Sequence, residues 1–410
     1  MTTQQENTKR IAKNTLMHLL IIRCKSYYKM KYTKIIKKKN ACSGCNACAE
    51  VCPKHCITMI VNSKGFYYPK IDKNLCIKCG ACERVCPFVR NIELTTPLKA
   101  FAAWNKDKKQ HLLSSSGGAA YIFSKYIIER GGVVYGCSAD GLEIKHIRVD
   151  KVQDLHKLQG SKYVQSDIRG VFSIIKADLK NSVCVLFIGT PCQVAGLKNY
   201  IKHFPDNLYL IDLVCHGVPS QQMLQEHVLS LAEGVKIESL SFRKGNNYVL
   251  NLKGDSWTYS TSSYWEDCFL RGFYDGIINR DSCYSCPFAT SKRFSDITIG
   301  DFWGLQDIEK LPSEINEGVS LLLPCTEKGM LLIDRTKEYF NLYERNVDEA
   351  IAGNPQLRHP TFHSLRCYVF NILYPVLSFD KSVYCSILDR KFISLIKLSW
   401  NKLQYGFRKQ

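Results

Sequence analysis

The 410-residue sequence has no apolar run approaching the ~18 residues a membrane-spanning helix requires; the stretch Leu16–Ile22, near its start, covers seven. It has neither a G-x-G-x-x-G fingerprint nor a P-loop, so an ordinary dinucleotide fold or a nucleoside triphosphatase is not expected. No convincing secretory or transit signal opens it, because the apolar stretch at the head is short and no small-residue cleavage site follows. Acidic residues are scarce: 37 Asp+Glu oppose 56 Lys+Arg, a formal net charge of +19. At 45% hydrophobic and 23% charged residues, the composition excludes a collagen-like or largely disordered chain. The length allows two to three domains and ample chain to bury a core. A cytoplasmic protein is expected, with any membrane contact peripheral.

The charge is concentrated at the ends. Residues 1–40 hold eleven Lys/Arg against Glu6, and residues 361–410 hold eight against Asp380 and Asp389, so the body between them is close to neutral. Basic ends can meet nucleic acid, an anionic membrane face or an acidic protein. The C-terminal stretch interleaves its charges with Leu377, Val383, Ile387, Phe392, Ile396 and Trp400. That mixture suits docking to a membrane surface better than a nucleic-acid arm, and a helix packed on its own domain is the alternative. No recognition module for nucleic acid accompanies the basic head, so nucleic acid is not expected as a partner.

What is abundant is cysteine, 20 in all, and the spacing argues against disulfides. Cys42-x2-Cys45-x2-Cys48-x3-Cys52-Pro53 recurs 34 residues later as Cys76-x2-Cys79-x2-Cys82-x3-Cys86-Pro87. This tandem run is the established signature of bacterial two-cluster ferredoxins. Three closely spaced thiolates wrap one cubane, and the cysteine before each proline crosses to the other. Cys42, Cys45, Cys48 and Cys86 are expected to hold one [4Fe–4S] cluster, and Cys76, Cys79, Cys82 and Cys52 a second. Structural zinc is the alternative, but it favours paired C-x2-C units over triple runs ending in Cys-Pro. Cys56 has no place in the pattern and reads as a packed side chain. Thr58–Val61 and Gly65–Pro69 read as strands of an intervening hairpin.

From residue 97 strand-like and helix-like segments alternate. Strands are expected at Ala100–Trp104, Gly132–Tyr135, Ile144–Val149, Val183–Ile188, Leu208–Val214, Lys236–Phe242, Tyr248–Leu252, Ile297–Gly300 and Val319–Leu323. Helices are expected near Ala119–Arg130, Asp167–Leu179 and Gln221–Ala232. The pattern is that of an α/β domain with a mixed sheet, behind an α+β ferredoxin-like module. Ser114-Ser115-Ser116-Gly117-Gly118 precedes a helix, where hydroxyls and glycine backbone can receive an anion. Gly189-Thr190-Pro191-Cys192-Gln193 and Asp212-Leu213-Val214-Cys215-His216-Gly217 each follow an apolar strand, at the strand end where α/β sheets place ligands. With Cys283-x2-Cys286 they supply four thiols, which could bind a third cluster, a zinc ion or nothing. A nucleophilic Cys192 or Cys215 paired with His216 is a further option, though adjacent side chains seldom point to the same place.

The order of these pieces, together with Gln159-Gly160-Ser161-Lys162-Tyr163 and Ser295-Asp296-Ile297-Thr298-Ile299-Gly300-Asp301, resembles the beta subunit family of coenzyme F420 hydrogenases and dehydrogenases over roughly residues 40–330. The resemblance implies an FAD- and iron–sulfur-dependent oxidoreductase, many of whose relatives exchange electrons with a deazaflavin. Similar bacterial chains occur in surface-polysaccharide gene sets. It implies four segments: a basic N-terminal extension (1–39), a two-cluster ferredoxin domain (40–92), a flavin domain (97–345) and a basic amphipathic tail (346–410). FAD contacts are implied at Ser116, Gly117, Gly118, Ser161, Lys162 and Thr190, with Lys162 favouring the anionic reduced ring. Cys192, Cys215, Cys283 and Cys286 are implied as a third [4Fe–4S] site beside the flavin. The expected partners are a redox protein such as reduced ferredoxin and a small organic substrate. A non-catalytic electron-transfer subunit of a larger complex is the rival reading.

Overall fold

A computed structural model describes residues 41–90, 92–245 and 247–388. The expectations placed on residues 1–39, and on the tail beyond residue 388, lie outside the described residues. Among the described residues no helix is long and apolar enough to cross a membrane.

Thirteen strands are described: β1 (Ile57–Val61), β2 (Tyr67–Ile71), β3 (Ala100–Asn105), β4 (Val133–Asp140), β5 (Glu143–Val149), β6 (Val185–Gly189), β7 (Leu208–Leu213), β8 (Ile237–Lys244), β9 (Asn247–Gly254), β10 (Thr258–Ser260), β11 (Ile297–Asp301), β12 (Ser320–Pro324) and β13 (Phe340–Arg345). Eight of them form one sheet in the order β13-β3-β12-β11-β7-β6-β4-β5. Its centre, β4-β6-β7-β11, is parallel, and the remaining pairings are antiparallel. The expected mixed sheet is therefore present. Four of the five residues of β6 are fully covered, and all six of β3, as apolar runs buried on both faces require.

Sequence pattern alone does not separate β8, β9 and β10, which form their own antiparallel three-stranded sheet, nor does it reveal β13. Pro191-Cys192-Gln193, expected as a turn, is instead the first turn of the helix Pro191–Ile201. Proline stands at its start, and the Gln193 side chain reaches back to the Thr190 N–H at 3.0 Å.

The segments expected as separate domains share cores. Phe66 and Tyr68 of the β1–β2 hairpin pack with Met223 and Leu224, with Leu250, and with Phe370, Phe379, Val383 and Ile387 from the C-terminal part. At about 1.5–3 kcal/mol for each large apolar side chain buried, this contact fixes the hairpin to the body. Residues 346–388, the first part of the segment expected as a basic amphipathic tail, contribute Ala350, Leu357, Phe370, Phe379, Val383 and Ile387 to the buried cores. On the other side Cys45, Ala47 and Val85 join Phe172, Phe187, Val194 and Ala195.

Candidate functional site

Both cysteine runs fold the same way. The residue before the second cysteine of each run (Gly44, Lys78) and the residue after it (Asn46, Gly80) all take left-handed backbone, with φ of 70, 54, 65 and 70°. Short helices, Ala47–Glu50 and Ala81–Val85, follow in each copy. Two left-handed residues flanking a thiol curl the loop so that N–H groups face sulfur; the Gly44 N–H lies 3.4 Å from Cys42 Sγ. At Lys78 this conformation is strained, because the residue carries the side chain that glycine lacks.

The repeats differ in exposure. Cys45 and Cys48 are buried, whereas Cys79 is exposed. Burial, reinforced by neighbouring thiols including Cys86 and Cys42, pushes the Cys45 thiol far above its ordinary value, and Cys48 senses Cys45, Cys42 and Cys86 in the same way. The four cysteines of the first expected set therefore lie together. In the other set Cys82 faces Cys79. The extra cysteine, Cys56, is buried with its sulfur 3.4 Å from that of Cys52, and it senses Cys76.

The four thiols outside the module also converge. Cys192 from the start of its helix, Cys215 after β7, and Cys283 and Cys286 line one small cavity of about 40 Å³. Burial, with Cys192 and Cys286 nearby, pushes Cys215 up to about 12; burial beside Cys192 pushes Cys286 up to about 11; Cys283 is raised as well. Among the described residues no carboxylate lines this cavity, so the thiols form a sulfur donor set, the chemistry of an iron–sulfur cluster, whose metal would deprotonate these thiols outright. Among the described residues no three His, Cys, Asp or Glu side chains are placed to hold a single metal ion. His216 lines this cavity beside Cys215, contrary to expectation, yet its ring is tied elsewhere: Nε2 lies 3.2 Å from the Phe273 carbonyl and Nδ1 3.1 Å from the Gln356 amide nitrogen.

Next to the thiols is a cavity of about 390 Å³ at the carboxyl ends of the parallel strands. Ser116, Gly118, Ser161, Lys162 and Thr190 all line it; Gly117 does not. A side chain at Gly117 would meet the Ala103 carbonyl at 2.1 Å, so its glycine serves close packing against β3. Gly118 carries φ of 82° at the N-terminus of the helix Ala119–Ile128. Ser115 Oγ accepts from the Ser161 N–H at 2.6 Å, which joins the two loops. Ser116 Oγ is buried without a partner. An orphaned hydroxyl beside a glycine-rich helix start is a fit for an anionic ligand. Lys162 does not extend freely: its Nζ donates to the carbonyls of Leu158 and Gln159 at 3.0 and 2.8 Å, and burial lowers its pKa.

The opposite wall is aromatic, and sequence reasoning missed it. Tyr163 stacks on Phe273 at 4.8 Å, Tyr274 meets Tyr248 at 4.5 Å, and Trp303 closes that side. Tyr163 ends the motif that begins at Gln159, but only the fold brings it to Phe273. The cavity floor holds His146, whose Nδ1 is 2.9 Å from Ser166 Oγ; burial lowers its pKa to about 4, so the ring is neutral. The segment Ser295–Asp301 is chiefly structural: Thr298 Oγ1 donates to Asp212 at 2.6 Å and Asp296 accepts from the Leu210 N–H at 2.8 Å, which locks β11 to β7. Also missed was Arg280, three residues before Cys283, a buried cation on the thiol cavity.

Paired ferredoxin-type loops running into an α/β body define an iron–sulfur redox protein. Residues 41–89 match the family described as 4Fe-4S dicluster domain, and residues 184–350 match the one described as the C terminus of the coenzyme F420 hydrogenase/dehydrogenase beta subunit. The chain is thus similar to the coenzyme F420 hydrogenase/dehydrogenase beta subunit family over residues 184–350, behind a 4Fe-4S dicluster domain at residues 41–89. A chain in the xenon-derivatised F420-reducing [NiFe] hydrogenase complex from Methanosarcina barkeri aligns with 64% of this chain and 91% of its own, at 16% identity and a TM-score of 0.44. No curated protein sequence matches the chain.

Proposed function

We propose that the chain is an iron–sulfur flavoprotein oxidoreductase that passes electrons between a one-electron protein partner and a small organic substrate or deazaflavin-like cofactor. The observation that carries this reading is the position of the four-thiol cavity. Ser43 and Phe88 of the ferredoxin-type module line it on one side. Thr190, Gln193, Cys215, His216 and Gly217 line both it and the larger cavity. A cluster held by Cys192, Cys215, Cys283 and Cys286 would stand between the module and whatever fills the larger cavity.

FAD is the proposed occupant of that cavity; when bound, it would couple one-electron carriers to two-electron chemistry. Ser116 supplies a free hydroxyl, Gly118 and Thr190 supply helix-start backbone, and Ser161 holds the loop opposite. Lys162 keeps the carbonyl ends of its own loop satisfied while its buried ammonium lines the cavity. Gly117 lets the first loop lie flat on β3. The aromatic wall excludes water and presents faces to a planar or apolar substrate. Surface-polysaccharide synthesis is the proposed setting, on the strength of the sequence resemblance.

The partner is proposed to dock where the second run surfaces. Cys79 is exposed there, flanked by Leu75 and Ile77 at 57 and 58% exposure.

Anaerobic purification with iron, sulfide and flavin quantification tests the scheme. About twelve irons and one FAD per chain are expected, falling to about eight in a Cys215→Ser/Cys286→Ser variant. Iron without flavin would remove the flavoprotein reading.

A further inference from the structure

We propose that Arg280 is a positioning residue that sets the reduction potentials of the two iron–sulfur centres nearest the large cavity. The inference rests on the cluster reading above and deepens it.

Arg280 is 1% exposed and among the largest fully buried side chains. Among the described residues no carboxylate pairs with it; its neighbour Asp281 is taken by Lys64 at 2.6 Å. Instead its guanidinium makes three hydrogen bonds to neutral acceptors. Nε donates to the Cys42 carbonyl at 2.6 Å, Nη2 to the Tyr67 carbonyl at 2.7 Å, and Nη1 to Gln165 Oε1 at 3.0 Å. The cation also lies 4.4 Å over the Tyr68 ring. A buried charge without a counter-charge is costly, so something nearby must be negative in the working protein.

The candidates are thiolates on both sides. Cys42 belongs to the inner set of the ferredoxin-type module, and Arg280 lines the cavity of Cys192, Cys215, Cys283 and Cys286. Gly44, between Cys42 and Cys45, would place a side chain 3.0 Å from Arg280 Nη1, and none of the guanidinium's three hydrogen bonds reaches the loop of Cys76, Cys79 and Cys82. The cation is therefore placed between the two inner centres and apart from the outer one. Adding one electron to either inner centre adds negative charge beside a fixed guanidinium in a poorly solvated setting, with no bond made and no proton moved. The reduced form gains, and the potential rises.

Potentiometric titration of the anaerobically purified full-length chain, followed by electron paramagnetic resonance, reads each centre separately. Arg280→Gln removes the charge and keeps polarity; Arg280→Lys keeps the charge and loses the planar fork. The Gln variant is expected to disfavour reduction of both inner centres by about tenfold, or about 59 mV for one electron, while the outer centre stays put. The Lys variant is expected to retain most of the wild-type potentials. Equal shifts at all centres, or no shift at full iron content, would overturn the proposal. So would a Lys variant that loads no iron, which would confine Arg280 to assembly. A wild-type chain lacking the inner signals would instead remove the cluster reading itself.

Discussion

His227 Nδ1 lies 2.6 Å from Asp380 Oδ1, so a residue of the helix Gln221–Leu231 meets one that lies 153 positions further along the chain. On the other side of the ring, Nε2 lies 2.8 Å from Asp267 Oδ2. Asp267 also caps the helix Cys268–Tyr274 by accepting from the Leu270 N–H at 2.8 Å. The imidazolium thereby fastens the C-terminal part to the body.

Burial opposes the charged ring, but the hydrogen bonds to both carboxylates outweigh it and raise the His227 pKa to about 9. A proton held more tightly in the folded state stabilises fully below the unfolded value near 6.5 and is lost as pH climbs through 9. Tyr259 and Cys268, facing the same carboxylates, are pushed above their ordinary values, so they add their own loss of stability only from about pH 9 upward, where the unfolded thiol begins to ionise. Urea unfolding is expected to show about 3 kcal/mol of stability lost between pH 6.5 and 9. His227→Gln should flatten that slope; an equally steep slope in the variant contradicts the assignment.

Gly196 is where the inner cysteine loop presses on the body. A side chain there would stand 2.9 Å from Cys45 Sγ and 3.4 Å from Phe172. Alanine ordinarily favours a helix over glycine by about 1 kcal/mol. Here Gly196→Ala is expected to destabilise and to perturb the resonance of the inner centre, leaving the outer one unchanged. A thermally stabilised variant with native spectra would count against this close approach.

Ser116 offers a test of the large cavity that does not depend on turnover. Its hydroxyl has no partner among the described residues, so Ser116→Ala should leave the unfolding midpoint near the wild-type value. Flavin affinity, read by fluorescence titration, should weaken by about three- to tenfold for the loss of one hydrogen bond. Unaltered affinity would move the ligand elsewhere in the cavity.

The exposed surface of the module is basic as well as apolar. Lys54, Lys70, Lys73, Lys78, Arg84 and Arg90 are exposed, against Asp72 alone among exposed acids of residues 41–90. Association with an acidic two-cluster ferredoxin should therefore slow as salt rises. Lys73→Glu/Lys78→Glu should cut the association rate by about tenfold at low salt, while Lys151→Glu/Lys180→Glu, with the same charge change elsewhere, should not. Identical rates for the two variants would place the docking face elsewhere.

Much of this was legible in the residues because spacing alone encodes it. Three thiols two residues apart, ended by Cys-Pro, prescribe a loop geometry whatever surrounds it, and the left-handed residues at Gly44, Asn46, Lys78 and Gly80 follow from that loop. Strands such as β6 and β7 announced themselves as uniform apolar runs. The helix Pro191–Ile201 was missed because a Thr-Pro step reads as a turn until Gln193 is seen closing back on Thr190. The aromatic wall and the His227 clamp leave no local mark, since Tyr163 and Phe273, or His227 and Asp380, are far apart in the chain.

The sequence by itself determined the sulfur chemistry, since ligand type and spacing are local and covalent in origin. Tertiary structure alone decided that Cys79 of the second run is exposed while Cys45 and Cys48 of the first are buried, that four scattered thiols line one cavity, and that Arg280 stands between two of the sulfur sets. Those relations come from how sheets and helices pack, and packing depends on shape and burial summed over the whole chain.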